Sequence, residues 1–395
     1  MEPIYLDHNA TTPLSPEAAA AMGDCGSAAW ANPESQHQFG RHARRALEDA
    51  REGIAAILGV NLNGPQPDRI IFTSGGTEAN NLALFGLTAG SDKRRLAISS
   101  IEHPSVVGPA QALARRDWQV DRLPVSKKGD ILLFSPERST QADGSQKSRM
   151  SPFSLVSVML ANNETGVIQP IREVATICDS VGVPLHTDAV QSVGKVPVNF
   201  RELGVAAMTI AAHKFGGPRG IGALIVRDGM PLEPQLFGGV QQDGFRPGTE
   251  PVILAAGMHA ALKAFAREQD EQIERITQLR DRLEAALFAA WPSAVIHGAE
   301  APRLPNTTCI AFPGLDRQAL VIALDLAGVC CSTGSACASG SSEPSPTLFA
   351  MGLSEELVAS SIRFSLGATT TIEMIDEAAQ RVTRVLKSQP RTRSG

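Results

Sequence analysis

The sequence predicts an α/β protein built on a mostly parallel sheet. Two observations carry the prediction: from about residue 69 to 227, short β-branched runs alternate with longer Ala- and Leu-rich amphipathic stretches, and chemically capable residues recur just after those runs. Six segments read as strands: RIIFTS (69–74), RRLAISS (94–100), SLVSVMLAN (154–162), VPLHTDA (183–189), AAMTIAA (206–212) and GALIVR (222–227). TEANNLALFGL and IREVATICDSVG read as helices between them. The stretch 135–152, rich in Ser, Gln and charge and without a period, reads as a surface loop. After about residue 250 a single long helical run, LAAGMHAALKAFAREQDEQIERITQLRDRLEAALFAAW, ends at Pro292 and leads out of the first domain. The remainder, with PNTTCIAFPG, LVIALDLAG, SIRFSLG and a last helix over about 371–387, forms a smaller α+β unit.

At 395 residues the chain is long enough for two or three domains at roughly 150 residues each. Its 43% apolar content is ordinary for a globular protein and argues against disorder. Lys and Arg number 36 against 41 Asp and Glu, a net charge of −5 without like-charge blocks, so no footprint for direct nucleic-acid binding is expected. The N-terminal MEPIYLDHNATTP lacks the basic and apolar regions of a signal peptide, and no apolar run is long enough to cross a bilayer. Six cysteines (25, 178, 309, 330, 331, 337) form no CxxC pair for zinc and are too sparse for a disulfide scaffold. A soluble protein with reduced thiols in a cytoplasm fits best, and no metal is expected.

In open α/β sheets, ligands bind beyond the carboxyl ends of the strands. There the sequence sets Gly75, Gly76 and Thr77 after the first run, Glu102 and His103 after the second, Asn163 and Glu164 after the third, Asp188 and Gln191 after the fourth, and His213 and Lys214 after the fifth. A Gly-Gly-Thr turn opening a helix offers N–H groups to a phosphate, or is simply a tight turn capped by Thr77. Lys214, between an apolar run and the Gly-rich FGGPRGIG, suits a desolvated Schiff-base lysine, or is a surface lysine. Asp188 is either a helix cap or the acid that keeps a pyridine nitrogen protonated. An aldehyde cofactor carrying a phosphate and a pyridine needs that lysine, that acid and a phosphate cup. His103 is a buried structural histidine or a ring-stacking proton carrier. Cys337 sits in STGSACASGSSEP, whose small residues suit a nucleophilic thiol on a mobile loop or a linker with an incidental cysteine. Cys330 and Cys331 read as core residues.

With these residues assembled, the sequence closely resembles the cysteine desulfurases of the nitrogen-fixation and iron–sulfur-cluster type, within the class V aminotransferase family of pyridoxal phosphate enzymes. The matching motifs run almost end to end: YLDHNATTP, NPESQHQFGR, TSGGTEANN, SSIEHPSV, ANNETGVIQPI, HTDAVQSVGK, AHKFGGPRGIGAL, FRPGTEP, STGSACAS and SSIRFSLG. The resemblance implies the fold type I transferase architecture, with a large cofactor-binding domain over 15–260 and a small domain of 1–14 and 261–395. It implies that Lys214 holds pyridoxal phosphate as a Schiff base, that Asp188 pairs with the pyridine nitrogen and that His103 stacks on the ring. Asn163 and Gln191 are then expected near the phenolic oxygen, and Gly76, Thr77 and His213 at the phosphate, joined by Thr249 from the partner subunit of a homodimer. Arg363, helped by Asn32, is expected to clamp the substrate carboxylate, and Cys337 matches the catalytic cysteine.

The activity implied is conversion of L-cysteine to L-alanine with sulfur passed as a persulfide on Cys337 to an acceptor protein, such as an iron–sulfur scaffold or a tRNA-thiolation carrier. Selenocysteine lyase activity, another reaction of the same cofactor fold, and a weakly active assembly-platform subunit are the alternatives. Three departures from the family pattern stand out. Ala211 replaces a hydroxyl residue two before the His-Lys pair, so a phosphate hydrogen bond is missing or comes from Thr209. The usual Gln-Glu before Thr249 is Gln241-Gln242 here, which touches a loop contact. The insert at 135–152 is not a family hallmark.

Overall fold

The computed structural model describes residues 2–132, 153–334 and 343–389. The predicted loop at 135–152 and Cys337 therefore lie outside the described residues. The strands are β1 (Ile4–Tyr5), β2 (Arg69–Thr73), β3 (Arg95–Ser99), β4 (Gln119–Leu123), β5 (Leu155–Ser157), β6 (Leu185–Asp188), β7 (Ala207–Ala211), β8 (Gly222–Val226), β9 (Val295–Ile296), β10 (Thr307–Ala311), β11 (Val329–Cys330) and β12 (Ser361–Ser365). A seven-stranded sheet has the order β2-β8-β7-β6-β5-β3-β4. All six strands read from the sequence are in it.

The β3–β4, β3–β5, β5–β6 and β6–β7 pairs are parallel, and β8 runs antiparallel to both β2 and β7. Only β8 is reversed, so the carboxyl ends of β2, β3, β5, β6 and β7 share one edge. The apolar runs are continuous because both faces are covered. Along β8, Ala223 and Ile225 enter one core with helices Gln38–Leu58, Ile171–Asp179 and Val252–Arg267. Leu224 and Val226 enter the other, with helices Gly76–Thr88 and Pro104–Ala114. Burying each of the larger side chains, Leu224, Ile225 and Val226, contributes about 1.5–3 kcal/mol.

The edge strand β4 was not among the predicted strands. Its sequence, QVDRL, has two apolar residues and an exposed or half-exposed pattern throughout, as edge strands often do. The predicted single long helix is two, Val252–Arg267 and Gln269–Ala290, broken at Glu268 (φ −121°, ψ 20°). The reason is packing: Ala255, Met258 and Leu262 belong to the large-sheet core, whereas Ile276, Leu279, Leu283 and Leu287 belong to a second core. The charged stretch between them has no apolar stripe to keep one axis.

That second core lies under an antiparallel β12-β10-β9 sheet and the β1–β11 pair, covered by the helix Ile372–Ser388. Cys331 is half-buried and packs against this core, as expected, whereas Cys330 is half-buried and is not part of it. A cluster of Ile101, Val125, Met159, Cys309, Leu348, Met351 and Val358 joins the two units. No helix among the described residues is long and apolar enough to cross a membrane.

The loop from 240 to 250 covers the β2 edge. Gln242, held at φ 50°, accepts from Phe72 N through Oε1 (2.7 Å) and donates through Nε2 to Phe72 O (2.9 Å) and Arg246 O (3.4 Å). An amide matches both polar groups of an edge residue; a carboxylate has no proton to give. Gln242→Glu is expected to lose the donated bonds and set a charge against two carbonyls, lowering stability by about 1–3 kcal/mol. Urea unfolding at fixed protein concentration measures this, and an unchanged midpoint would remove Gln242 from the edge contact.

Candidate active site

The β2 strand turns at Gly75 (φ 156°), which begins the helix Gly76–Thr88 with no side-chain cap. Thr77 is therefore in the first turn rather than the cap, which leaves the helix N–H groups open to an anion. The turn lies against the end of β7. A Cβ on Gly222 would sit 2.7 Å from the Gly75 carbonyl carbon, and a Cβ on Gly76 would sit 3.0 Å from Val190 Cγ2 and 3.6 Å from Ala211 Cβ. Glu78 ties the turn down, accepting from Ser74 N (2.7 Å) and pairing with Arg246 Nε (2.8 Å). Those bonds and the Arg246 charge hold its carboxyl below the usual range despite burial.

Ala211 thus lies beside the candidate phosphate cup without a hydroxyl. Thr209 does not replace it: its methyl is the nearest atom toward Gly76, while Oγ1 bonds His186 Nε2 (3.0 Å), and His186 Nδ1 bonds Ser157 Oγ (2.9 Å). Burial pushes His186 down to about 3, so it is a neutral tie between strands. His213 contacts Thr11 Oγ1 (3.2 Å). Burial first, then Lys214, Arg219 and Lys195, lower it to about 4, so it is neutral at pH 7.

Asp188 ends β6. Its Oδ1 accepts from Val190 N (2.9 Å) and its Oδ2 from Asn80 Nδ2 (2.7 Å). It caps its own turn rather than a helix, and it presents a buried carboxylate. Asn80 Nδ2 also donates to Ser105 Oγ (2.8 Å), which bonds His103 Nδ1 (2.7 Å). His103 Nδ1 accepts from Ser105 N (3.1 Å) as the cap of the helix Pro104–Ala114. Nδ1 is an acceptor there, so Nε2 is the nitrogen that carries a proton in the neutral ring. Beneath this chain, Glu102 accepts from Ser99 Oγ (2.5 Å) and Met159 N (2.7 Å), and burial raises it to about 8.

Lys214 follows β7 and donates from Nζ to Asn9 O (2.7 Å) and Ala10 O (2.8 Å). Asn9 is a junction. Its carbonyl also accepts from Gln191 Nε2 (3.0 Å), its Oδ1 from Lys195 Nζ (2.7 Å) and Asn306 Nδ2 (3.1 Å). Its Nδ2 donates to Thr307 Oγ1 (2.9 Å) and Asn163 O (3.2 Å). The Asn163 side chain makes no hydrogen bond to the described residues.

Arg363, on β12 and 2% exposed, comes to the same place from the second core. It pairs with Asp7 Oδ1 through Nη2 (2.6 Å) and donates through Nη1 to Asn163 O (2.9 Å) and Gly334 O (3.4 Å). Its Nε is buried with no acceptor among the described residues. Asn32 is exposed and caps its own turn, accepting from Glu34 N (3.0 Å); no hydrogen bond joins it to Arg363. Thr249 is exposed as well. Its loop carries Phe237 and Val240, 88% and 79% exposed, beside a polar cavity of about 830 Å³ lined by Arg51, Arg69, Gln242 and Glu250.

The sequence reading thus missed Asn9, Asn80, Ser105, Lys195 and Asp7. Their motifs, LDHNATTP, TEANN, EHPSV and QSVGK, were in view, but the residues follow no strand end directly.

The chain matches the family model described as aminotransferase class-V over residues 4–377. It is 40% identical over 386 residues to "Cysteine desulfurase IscS" of Dictyoglomus turgidum, covering 97% of this chain and 94% of that one. Among solved structures it is similar to a NifS-like protein from Rickettsia africae, with a TM-score of 0.86, 33% identity and coverage of 98% and 100%. A second, titled "SspA in complex with cysteine", has a TM-score of 0.76, 30% identity and coverage of 93% and 99%.

Proposed function

The chain belongs to the class-V aminotransferase family, and on that premise we propose that it is a pyridoxal phosphate-dependent cysteine desulfurase, taking sulfur from L-cysteine and leaving L-alanine. The observation that carries this reading is one convergence: a lysine, a buried carboxylate and an uncapped helix N-terminus at one sheet edge, with a buried arginine arriving from the second core. Relatives named cysteine desulfurase and a similar structure titled as a cysteine complex support it.

The donor set fits the cofactor. The helix N–H groups at Gly76 and Thr77, with neutral His213, suit its phosphate; Asp188 suits its pyridinium and Lys214 its aldehyde. His103 is assigned to stack on the ring and to move protons from Nε2, and the amides of Asn163 and Gln191 to meet the phenolic oxygen. When bound, the cofactor supplies the electron sink that makes the substrate Cα acidic. Lys214 takes that proton. Arg363 binds the substrate carboxylate, for which its buried Nε–H is the spare donor and a planar fork the better match than an ammonium. Asn32 is retained as a helper to that clamp. Cys337 receives the sulfur: the C–S bond of cysteine breaks, an S–S bond forms, and alanine plus a Cys337 persulfide result.

We assign Thr249 to the phosphate of the partner subunit's site in a homodimer. The exposed Phe237 and Val240 and the adjoining cavity give a second copy an apolar and polar surface to cover. A boundary with 15–260 in one domain and 1–14 with 261–395 in the other is supported by the two separate cores. The persulfide acceptor is assigned to iron–sulfur assembly or tRNA thiolation, and the enzyme to the cytoplasm.

The test is the yield of alanine and sulfide from L-cysteine by the protein loaded with pyridoxal phosphate under excess reductant. Matching multiple turnovers are expected. A yellow, loaded protein that forms alanine from L-selenocysteine and none from L-cysteine would move the assignment to selenocysteine lyase.

A further inference from the structure

Lys195 is a second lysine in the site, more deeply buried than Lys214, and nothing above uses it. It is 8% exposed, and its Nζ donates to Gln191 Oε1 (2.6 Å) and Asn9 Oδ1 (2.7 Å). Neither acceptor is charged. The charged and titratable groups that act on it are Lys214 after β7, Arg363 on β12, His8 on the N-terminal segment and His213 after β7, with Asp7 paired to Arg363 and Arg219 acting on His213. The carboxylate in that set, Asp7, is taken by Arg363.

Two consequences follow from the geometry. Gln191 has its amide orientation fixed from both ends: Lys195 supplies a donor to Oε1, and the Asn9 carbonyl can only accept from Nε2. One Nε2–H is left over. Second, Asn9 joins the two lysines, Lys195 on its side-chain oxygen and Lys214 on its backbone oxygen. Basic nitrogens held close together in a dry site discourage one another's protonation.

We propose that Lys195 is a positioning residue for the Lys214 end of the site, holding the Gln191 amide with its free N–H toward the cofactor's phenolic oxygen and making the Lys214 nitrogen harder to protonate. The inference rests on the cofactor reading given above. Burial, then Lys214 and Arg363, lower Lys195 well below an ordinary lysine, which agrees with two nitrogens competing for a proton.

The experiment is a pH titration of the visible absorbance of the pyridoxal phosphate-loaded protein, wild type against Lys195→Met. A donor to the phenolic oxygen and a nearby basic nitrogen both oppose protonation of the Lys214 nitrogen. Their loss is therefore expected to raise the midpoint by about one pH unit, a tenfold change in the protonation constant. Lys195→Gln, which can still donate to Gln191 but has no ammonium, is expected to shift it less. A folded, loaded Lys195→Met with the wild-type midpoint overturns the proposal. So does failure of both variants to fold, which would make Lys195 a structural residue. A wild-type protein with no visible band, or a Lys214→Ala protein with the same band, would instead refute the cofactor reading.

Discussion

Lys214→Ala is expected to lose the visible band of the loaded protein and to reduce alanine formation by about 10³-fold or more, within the range a positioned acid–base group contributes and with the covalent link to the cofactor lost besides. The geometry gives the reason. Nζ is held by two carbonyls, Asn9 O and Ala10 O, at the end of a strand whose neighbour β6 ends in Asp188. The other lysine on Asn9 is no substitute, since Lys195 is turned toward Gln191 Oε1 and Asn9 Oδ1. Absorbance after loading, followed by product assay, measures both effects. Wild-type alanine production from the variant would refute Lys214 as the base.

What was legible in the sequence and what was not divides along a physical line. Strands buried on both faces announce themselves as apolar runs, and the residues just after them have one place to go, the carboxyl edge of the sheet. That is why β6 and β7 deliver Asp188 and Lys214 where expected. The edge strand β4, whose two apolar residues are separated by Asp121 and Arg122 and nowhere fully buried, gives no such signal. Neither does the break at Glu268, because it arises where one helix leaves its core for another rather than from Gly or Pro. The layer behind the site was the least legible. Asn9 meets Lys195 across 186 residues and Lys214 across 205, so its role exists only once β1, β6 and β7 are folded together. Asn80 was similarly hidden: its position in TEANN reads as helix surface or interior alike, and only the fold sets it between Asp188 and Ser105.

Cys337→Ala is expected to do the opposite of Lys214→Ala: the loaded protein keeps its visible band while sulfur transfer falls by about 10³-fold or more, the scale on which loss of a nucleophile acts. Cysteine 337 lies outside the described residues, but both flanks of its segment end at one carboxylate. Ser345 Oγ donates to Glu164 Oε2 (2.6 Å), and a Cβ on Gly334 would sit 2.9 Å from that same oxygen. Burial raises the Glu164 carboxyl, and the Ser345 and Thr347 hydroxyls and the Arg363 and Arg317 charges oppose that rise. Arg317 Nη2 holds Glu343 O (2.6 Å), and Arg363 Nη1 reaches Gly334 O (3.4 Å). Gly334 is three residues from Cys337, a span no chain stretches beyond about 11 Å. The residue assigned to the substrate carboxylate is thus bonded to the root of the segment that carries the thiol. The other cysteines are poor replacements: burial pushes the Cys178 thiol up to about 12, and raises Cys309 and Cys331 as well. Mass spectrometry of the protein after reaction with cysteine should find the added sulfur on Cys337 in the wild type and on no cysteine in the variant. Full sulfide release from Cys337→Ala would refute the assigned nucleophile while leaving the Lys214 reading intact.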